Sequence, residues 1–244
     1  MKGIEKGPTL GDQVYAYIRE GIVNQRYRPG EMLVESELAL ELNVSRTPVS
    51  NAVIMLKERG LLEVHGGRFV VLDLSIRDVI DLYQCRLAFD GMAARLAAEN
   101  MSEARLRDLE NGLDIWEQVI DAPDTNALWV ADLGFHSAIY EGSGNTYLQR
   151  FSEIATDLLS TYRRVIIENL ASHPDQSRSP DDVRREHLTI YEALSARDPD
   201  AAETQAREHI QRVIEFLNRV LDNSGAFSEA SSLTASQAGA GDRR

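Results

Sequence analysis

The feature that most constrains the fold of this chain is a run of about 150 residues in which every segment has a helical period. From Ser75 to Leu221 apolar residues recur at spacings of three and four, and no segment alternates as a strand would. Six helices are predicted, over 75–98, 102–120, 124–142, 145–171, 179–196 and 199–221. A stretch of this length can bury a substantial core, so residues 75–222 are predicted to form an all-α bundle.

The residues before this run are predicted to form a smaller domain over 11–73. Its predicted elements, in order, are helices over Leu10–Gln25, Glu35–Leu42 and Arg46–Arg59 and strands over Leu61–Val64 and Arg68–Leu72. Helix, helix, turn, helix and β-hairpin is the order of a winged helix-turn-helix. A three-helix module with no role in DNA binding is the alternative. The tight turn Asn43-Val44-Ser45 and the hairpin signal His65-Gly66-Gly67 favour DNA binding.

The fold class is therefore predicted to be mainly α, with an N-terminal winged helix-turn-helix followed by an all-α helical bundle. Residues 1–10 are expected to be flexible, and the Ser/Ala/Gly-rich residues 223–244 are expected to be a disordered tail. No apolar run reaches the roughly 18 residues that a membrane span needs. With no secretory signal and a single cysteine, Cys85, the chain is expected to be cytoplasmic.

Charge is unevenly distributed along the chain, whose formal net charge is −13. Residues 1–74 hold nine basic and ten acidic side chains, whereas the remaining 170 hold seventeen and twenty-nine. Within 45–71 the sign reverses, with Arg46, Lys57, Arg59 and Arg68 against Glu58 and Glu63. Such a local basic patch is what phosphate contact requires, and the acidic remainder is expected to stay off DNA.

Four ionisable residues lie where the helical period predicts the core of the bundle. Asp132 and His136 are one turn apart on the third bundle helix, and His187 and His209 lie on the inward faces of the fifth and sixth. Each histidine could instead be a core residue bonded to a neighbour. Three histidines and one carboxylate on facing helices favour a divalent metal, which satisfies all of these donors together.

The other histidines lack this context, since His65 lies in the wing turn and His173 in a polar loop. Arg86 lies on the apolar face of the first bundle helix and therefore needs an anion. Asp90, four residues later, can supply one internally, whereas an incoming carboxylate held by two hydrogen bonds is the functional alternative.

These segments resemble a known family of regulators. PGEMLVESELALELNVSRTPVSNAV and LKERGLLEVHGGRFV look like the winged helix of GntR-family bacterial transcription regulators. RLAFDGMAARLAA, ADLGFH and two later REH triplets resemble the FadR subfamily with its all-helical FCD effector domain. The resemblance implies a homodimer that binds a palindromic double-stranded DNA operator, with an affinity that a small carboxylate effector alters.

The resemblance also implies roles for residues in the bundle. The implied ligands of a divalent ion are Asp132, His136, His187 and His209, with zinc as the first choice and nickel or manganese as alternatives. Arg86 corresponds to an arginine that meets the effector carboxylate. Asp90 stands where glutamate is usual, which shortens the reach to Arg86.

For DNA, the resemblance implies that Ser45, Arg46 and Thr47 begin the recognition helix and that Gly67 is the wing tip. Two expected DNA contacts depart from the family pattern: Ser50 stands where an arginine usually reads guanine, and Ser36 where another arginine often contacts DNA. A bidentate arginine–guanine pair is worth roughly 1–3 kcal/mol of discrimination. Weaker binding or a different operator is therefore predicted, with Arg46 and Asn51 doing more of the reading.

Three functions are compatible with these features: a ligand-responsive regulator, a regulator with a structural metal, and a metal-dependent hydrolase. The hydrolase is disfavoured because Glu186 and Glu208, which adjoin His187 and His209, are expected to point away from the cluster. The chain is therefore predicted to be a ligand-responsive regulator and not an enzyme.

Overall fold

The computed structural model describes residues 7–120, 125–172 and 179–238. The chain divides into two compact units. The winged unit comprises the described residues up to Ser75 together with Glu153–Ile166, and the helical unit comprises the other described residues.

The winged unit contains three helices and a small sheet. Its elements are α1 (Leu10–Val23), β1 (Met32–Leu33), α2 (Glu35–Glu41), α3 (Arg46–Glu58), β2 (Leu62–His65) and β3 (Arg68–Val71). The sheet is antiparallel with the order β1-β3-β2, and Val64 pairs with Phe69 in the hairpin. Ile18 and Ile22 of α1 pack with Val49 and Leu56 of α3 in a common apolar core.

The local sequence explains where these elements begin and end. Thr9 and Asp12 form a reciprocal capping box at the start of α1. Ser45 occupies the N-cap position of α3, but its side chain makes no capping hydrogen bond. Gly66 and Gly67 have φ of 58° and 78°, which is the left-handed conformation that a two-residue hairpin turn requires.

The helical unit is built from α4 (Ile76–Asn100), α5 (Glu103–Ile120), α6 (Thr125–Gly142), the ends of α7 (Thr146–Ser172), α8 (Pro180–Ser195) and α9 (Pro199–Ala238). Its described residues contain no strand. Ser179 and Asp182 form a capping box at the start of α8, with Pro180 in the first turn.

Small residues on α4 form the centre of this unit. Ala93, Ala94, Ala97 and Ala98 are fully buried, and they allow α9 to pack closely along α4. Phe135 and Ile139 of α6 join the same core. The packing brings the inward faces of α4, α6, α8 and α9 together.

The predicted fold class, mainly α with an N-terminal winged helix-turn-helix, is confirmed, and the six predicted bundle helices match α4–α9. Helix α9 extends to Ala238 and so includes residues 223–238 of the segment expected to be disordered, whose disorder stays a prediction. This stretch contains one glycine, Gly225, and no proline, so nothing in it forces the helix to end. No helix in the described ranges is long and apolar enough to cross a bilayer.

Candidate functional site

Four side chains of the helical unit converge at one point. Asp132 and His136 of α6, His187 of α8 and His209 of α9 each offer one donor atom, and these atoms lie within 4.8 Å of one another. Nε2 of His136 is 3.2 Å from Nε2 of His209. Oδ1 of Asp132 lies 3.5 Å from Nε2 of His187 and 3.9 Å from Nε2 of His136. The helical period thus correctly predicted that these residues meet.

Two further carboxylates lie behind the imidazoles. Oδ2 of Asp90 is 3.2 Å from Nδ1 of His136, and Oε2 of Glu186 is 2.8 Å from Nδ1 of His209. The expectation that Glu186 points away from the cluster is therefore wrong. Consecutive residues on a helix are about 100° apart, so Glu186 faces α9 while His187 faces the cluster.

Asp90 is held by three donors besides His136. Arg86 donates from Nη2 to Oδ2 at 2.7 Å and from Nε to Oδ1 at 3.4 Å, and the hydroxyl of Tyr140 donates to Oδ1. Arg86 and Asp90 are both buried. Burial alone would raise the pKa of Asp90, but the Arg86 charge and the His136 hydrogen bond outweigh it and hold that pKa well below its usual range. In this structure Arg86 is thus paired with the carboxylate of Asp90.

The same burial acts on Tyr140. Burial and the neighbouring Asp90 charge raise the pKa of the Tyr140 hydroxyl far above its usual value, so it stays protonated. A protonated hydroxyl can donate to Asp90, which fixes the orientation of the carboxylate.

The donor set fits a divalent metal. Two nitrogens bound to one tetrahedral zinc at about 2.0–2.1 Å lie about 3.3 Å apart, close to the 3.2 Å between Nε2 of His136 and Nε2 of His209. An ionised carboxylate only accepts hydrogen bonds, so Nδ1 of each of these rings carries the hydrogen. Both Nε2 atoms then present lone pairs to each other, and a cation between them removes that repulsion.

Aromatic rings enclose the cluster. Phe135 stacks on His187 with centroids 4.1 Å apart, and the edge of Trp116 lies 5.0 Å from the same ring. A small cavity of about 10 Å³, roughly the space of one water molecule, is lined by Asp90, His136, Ile139, Tyr140, Ile190 and Ala206.

The winged unit places the predicted DNA-contacting residues on its surface. Ser45, Arg46 and Thr47 are exposed at the start of α3, and Ser50 is half-buried one turn later. Asn51 is exposed beside it, as is Ser36 on α2. A Cβ added to Gly67 at the hairpin tip would meet nothing within 4 Å, so the wing backbone is open to an approaching duplex.

Two family profiles match the chain over the two regions just described. The profile named "FCD domain" matches residues 81–212, and the profile named "Bacterial regulatory proteins, gntR family" matches residues 10–71. The chain belongs to the GntR family and carries an FCD domain.

Relatives of this GntR regulator include named transcription factors. It is 28% identical over 222 residues to the HTH-type transcriptional repressor RspR of Escherichia coli K12, covering 90% of this chain and 94% of the relative. It is 30% identical over 238 residues to the Uxu operon transcriptional regulator of the same strain, covering 89% and 92%. These relatives are transcriptional regulators rather than enzymes. The chain is a ligand-responsive, DNA-binding regulator of transcription.

The fold is shared with solved structures of the family. The structure of E. coli McbR/YncC superposes with a TM-score of 0.67 at 23% identity, covering 86% of this chain and 98% of that one. At this identity the likeness concerns the fold alone.

Sequence reasoning missed three residues at the site of this GntR regulator. Tyr140 lies four residues after His136, so helical periodicity could have placed it on the same face. Glu186 and Trp116 reach the cluster from neighbouring helices, and only the packing shows that. Of the two histidines set aside, His65 pairs with Glu63 in the wing at 2.7 Å, and His173 lies outside the described residues.

Proposed function

We propose that this GntR regulator binds a palindromic operator as a homodimer and releases or tightens that binding when a small carboxylate enters the helical unit. The carboxylate binds next to a divalent ion, zinc in first place, that Asp132, His136, His187 and His209 hold. Nickel and manganese accept the same donors.

The observation that carries this proposal is the pair of facing Nε2 atoms of His136 and His209, 3.2 Å apart. Each ring has its Nδ1 against a carboxylate, so both Nε2 lone pairs point at the same small volume. Asp132 adds a negative charge beside them. When both rings are neutral, each Nε2 is an acceptor, and two such acceptors beside a carboxylate suit a cation.

The geometry next to this set supports a carboxylate effector. A divalent ion that takes five or six ligands keeps one or two coordination positions for an oxygen ligand when four protein atoms bind it. Asp90 occupies Nε and Nη2 of Arg86, and the described residues provide no acceptor for Nη1. We propose that an effector oxygen takes that place. A small cavity lies beside His136 and Tyr140, next to this position.

DNA reading is assigned to α3 and the wing. Arg46, Thr47 and Ser45 meet the major groove, Ser50 and Asn51 lie one turn further along, and Gly67 brings the wing backbone to the minor groove. For the effector to alter this binding, it must bind one arrangement of the dimer more tightly than another. Arg86 and Asp90 lie on α4, which directly follows the winged domain in the sequence.

An apolar surface of the helical unit supports the homodimer. Phe89 of α4 stacks on Phe151 of α7 with centroids 4.6 Å apart. Met92, Tyr147 and Phe151 are 43%, 71% and 49% exposed. Large apolar side chains clustered on a surface mark an interface, and a second copy of the chain is the occupant that a palindromic operator requires.

The test of this dimer surface is sedimentation of the wild type and of Phe151→Asp. A dimer that becomes a monomer in the variant, with unchanged helical content, supports the surface. A variant that stays dimeric refutes it.

The test of the whole proposal is fluorescence anisotropy on the DNA upstream of the gene, at fixed salt, against scrambled DNA. Specific binding on the order of 10³-fold tighter than to the scramble is expected. The titration is repeated with zinc, with a chelator, and with a panel of small carboxylic acids and their amides as matched neutral controls. An acid that shifts operator affinity only with zinc present, while its amide does not, supports the effector site.

Each other result rejects a defined part of the proposal. Operator binding that needs zinc but ignores every acid indicates a structural metal. Steady consumption of an acid indicates an enzyme. Equal, weak binding to both DNAs refutes sequence reading on that DNA.

A further inference from the structure

We propose that Asp90 and Glu186 are positioning residues of the metal site, each holding one imidazole as the Nδ1–H tautomer so that Nε2 is the metal-binding atom. This inference rests on the metal site of the proposed function. It adds two residues that touch no metal, and it assigns which nitrogen of His136 and of His209 binds.

The tautomer follows from what each nitrogen faces. A neutral imidazole carries one hydrogen, on Nδ1 or on Nε2, and the partner of each nitrogen decides between the two. Nδ1 of His209 lies 2.8 Å from Oε2 of Glu186, and Nδ1 of His136 lies 3.2 Å from Oδ2 of Asp90. Carboxylate oxygens only accept, so both nitrogens must donate. Metal-bound histidines commonly donate their other N–H to a carboxylate in this way.

Glu186 lies on α8 and contacts a histidine of the neighbouring helix α9. It precedes His187 on α8, but its carboxylate contacts a ring of α9, and its side chain is only 12% exposed. Arg212, also on α9, lies 3.7 Å from the other oxygen of Glu186. One turn of α8 thus supplies a donor to the cluster through His187 and fixes another donor through Glu186.

Asp90 is itself fixed. Arg86 binds both of its oxygens and Tyr140 donates to one of them, so the carboxylate has little freedom to rotate away from His136. Asp90 is 3% exposed and Arg86 is 6% exposed, so water competes little for these bonds. Arg86 therefore acts on His136 through Asp90, in addition to any contact with an effector.

The expected effect is a loss of metal affinity. Replacing a carboxylate of this kind costs about 10–100-fold in metal affinity in known sites. In Glu186→Gln the amide nitrogen can turn toward Nδ1 and donate, which favours the Nε2–H tautomer and blocks the metal-binding atom. Asp90→Asn acts in the same way on His136, and it also leaves Arg86 without its ion pair.

Glu208→Gln is the matched control. Glu208 also adjoins a histidine of the cluster in sequence and loses the same charge on substitution. Its side chain is 49% exposed, however, and pairs with Arg212 at 3.1 Å rather than with an imidazole. The control therefore separates the hydrogen bond to the ring from a general loss of negative charge.

The experiment titrates zinc into the full chain, first stripped of metal, in the presence of a competing chromophoric chelator. Wild type, Glu186→Gln, Asp90→Asn and Glu208→Gln are compared. Glu186→Gln and Asp90→Asn are expected to bind zinc about 10–100-fold more weakly, and Glu208→Gln within about threefold of wild type. NMR of the imidazole nitrogens in the metal-free protein, above about pH 8, is expected to show Nδ1–H for both rings in wild type. Nε2–H is expected at His209 in Glu186→Gln.

The outcomes distinguish this inference from the proposed function. A wild type that binds no divalent metal rejects the metal site itself. A wild type that binds zinc while Glu186→Gln and Asp90→Asn match Glu208→Gln rejects the positioning role and leaves the site standing. Should Asp90→Asn fail to fold, Glu186→Gln and the NMR of the wild type decide, because Nε2–H on either ring in the wild-type protein overturns the inference.

Discussion

Replacing His187 with Phe separates the metal role of this residue from its packing role. His187 is fully buried between Phe135, stacked at 4.1 Å, and the edge of Trp116 at 5.0 Å. A phenyl ring keeps both contacts and removes both nitrogens. Because benzene is slightly larger than imidazole, overpacking costs about 1–3 kcal/mol at most. Metal-free His187→Phe should therefore still fold, with a free energy of unfolding about 1–3 kcal/mol below that of the metal-free wild type.

The zinc-dependent part of the stability should behave differently. A ligand at 100 times its dissociation constant stabilises the folded state by about 2.7 kcal/mol. For a domain of this size, that is about 5–10 °C in melting temperature. The wild type should gain this increment when zinc is added. His187→Phe should gain none at the same zinc concentration, since it lacks one of four donors.

The assay is thermal unfolding followed by circular dichroism, with zinc and with a chelator. His65→Phe is the matched control, because it is the same substitution at a 65% exposed side chain of the wing. It should retain the full zinc increment. A zinc increment in His187→Phe equal to that of the wild type would show that His187 is a packing residue and not a ligand.

Three further predictions address DNA reading and the buried ion pair. Arg46→Ala should weaken operator binding by about 1–3 kcal/mol while leaving binding to scrambled DNA nearly unchanged, and equal operator affinity by anisotropy would contradict its assignment. Gly67→Val should strain a backbone at φ 78° by about 1–2 kcal/mol and reduce DNA affinity without loss of helix content, so intact DNA affinity would argue against a role for the wing tip. Asp90→Asn should destabilise the protein by about 3–5 kcal/mol at pH 7, because a buried Arg86 loses its anion. Since the pKa of Asp90 is lowered in the folded state from 3.8, its contribution is complete above that value and is lost as the pH falls below it. The difference in free energy of unfolding between wild type and Asp90→Asn, measured by urea unfolding, should therefore decrease below about pH 4. A constant difference down to pH 3 would contradict the ionised state of Asp90.

Periodicity was sufficient to predict much of the helical unit. Asp132 and His136 share a face because they are four residues apart, and the same rule placed His187 and His209 inward. Buried polar groups on facing helices need one another or an ion as partners, which made it reasonable to expect all four side chains at one point. The order of elements in the winged unit was predictable for the same reason, as turn residues separate its short periodic segments.

Features that depend on how neighbouring helices align could not be predicted. Glu186 contacts His209 because α8 and α9 pack at a particular height and rotation, which the sequence of neither helix specifies. Strand β1 is two residues long, too short to show a two-residue period, and it forms because Met32 and Leu33 pair with Val70 and Phe69.

The donors of the cluster come from three helices, and Asp132 and His209 are 77 positions apart in the chain. An unfolded chain can hold such distant groups together only by closing two long loops, which is entropically costly. A bound ion would therefore act as a reversible cross-link that has to open before α6, α8 and α9 can separate. Proteases cut the separated helices far faster than the packed ones. A bound ion would lower the population of the opened form that proteases cut, so the same four side chains would affect the lifetime of the protein as well as its response.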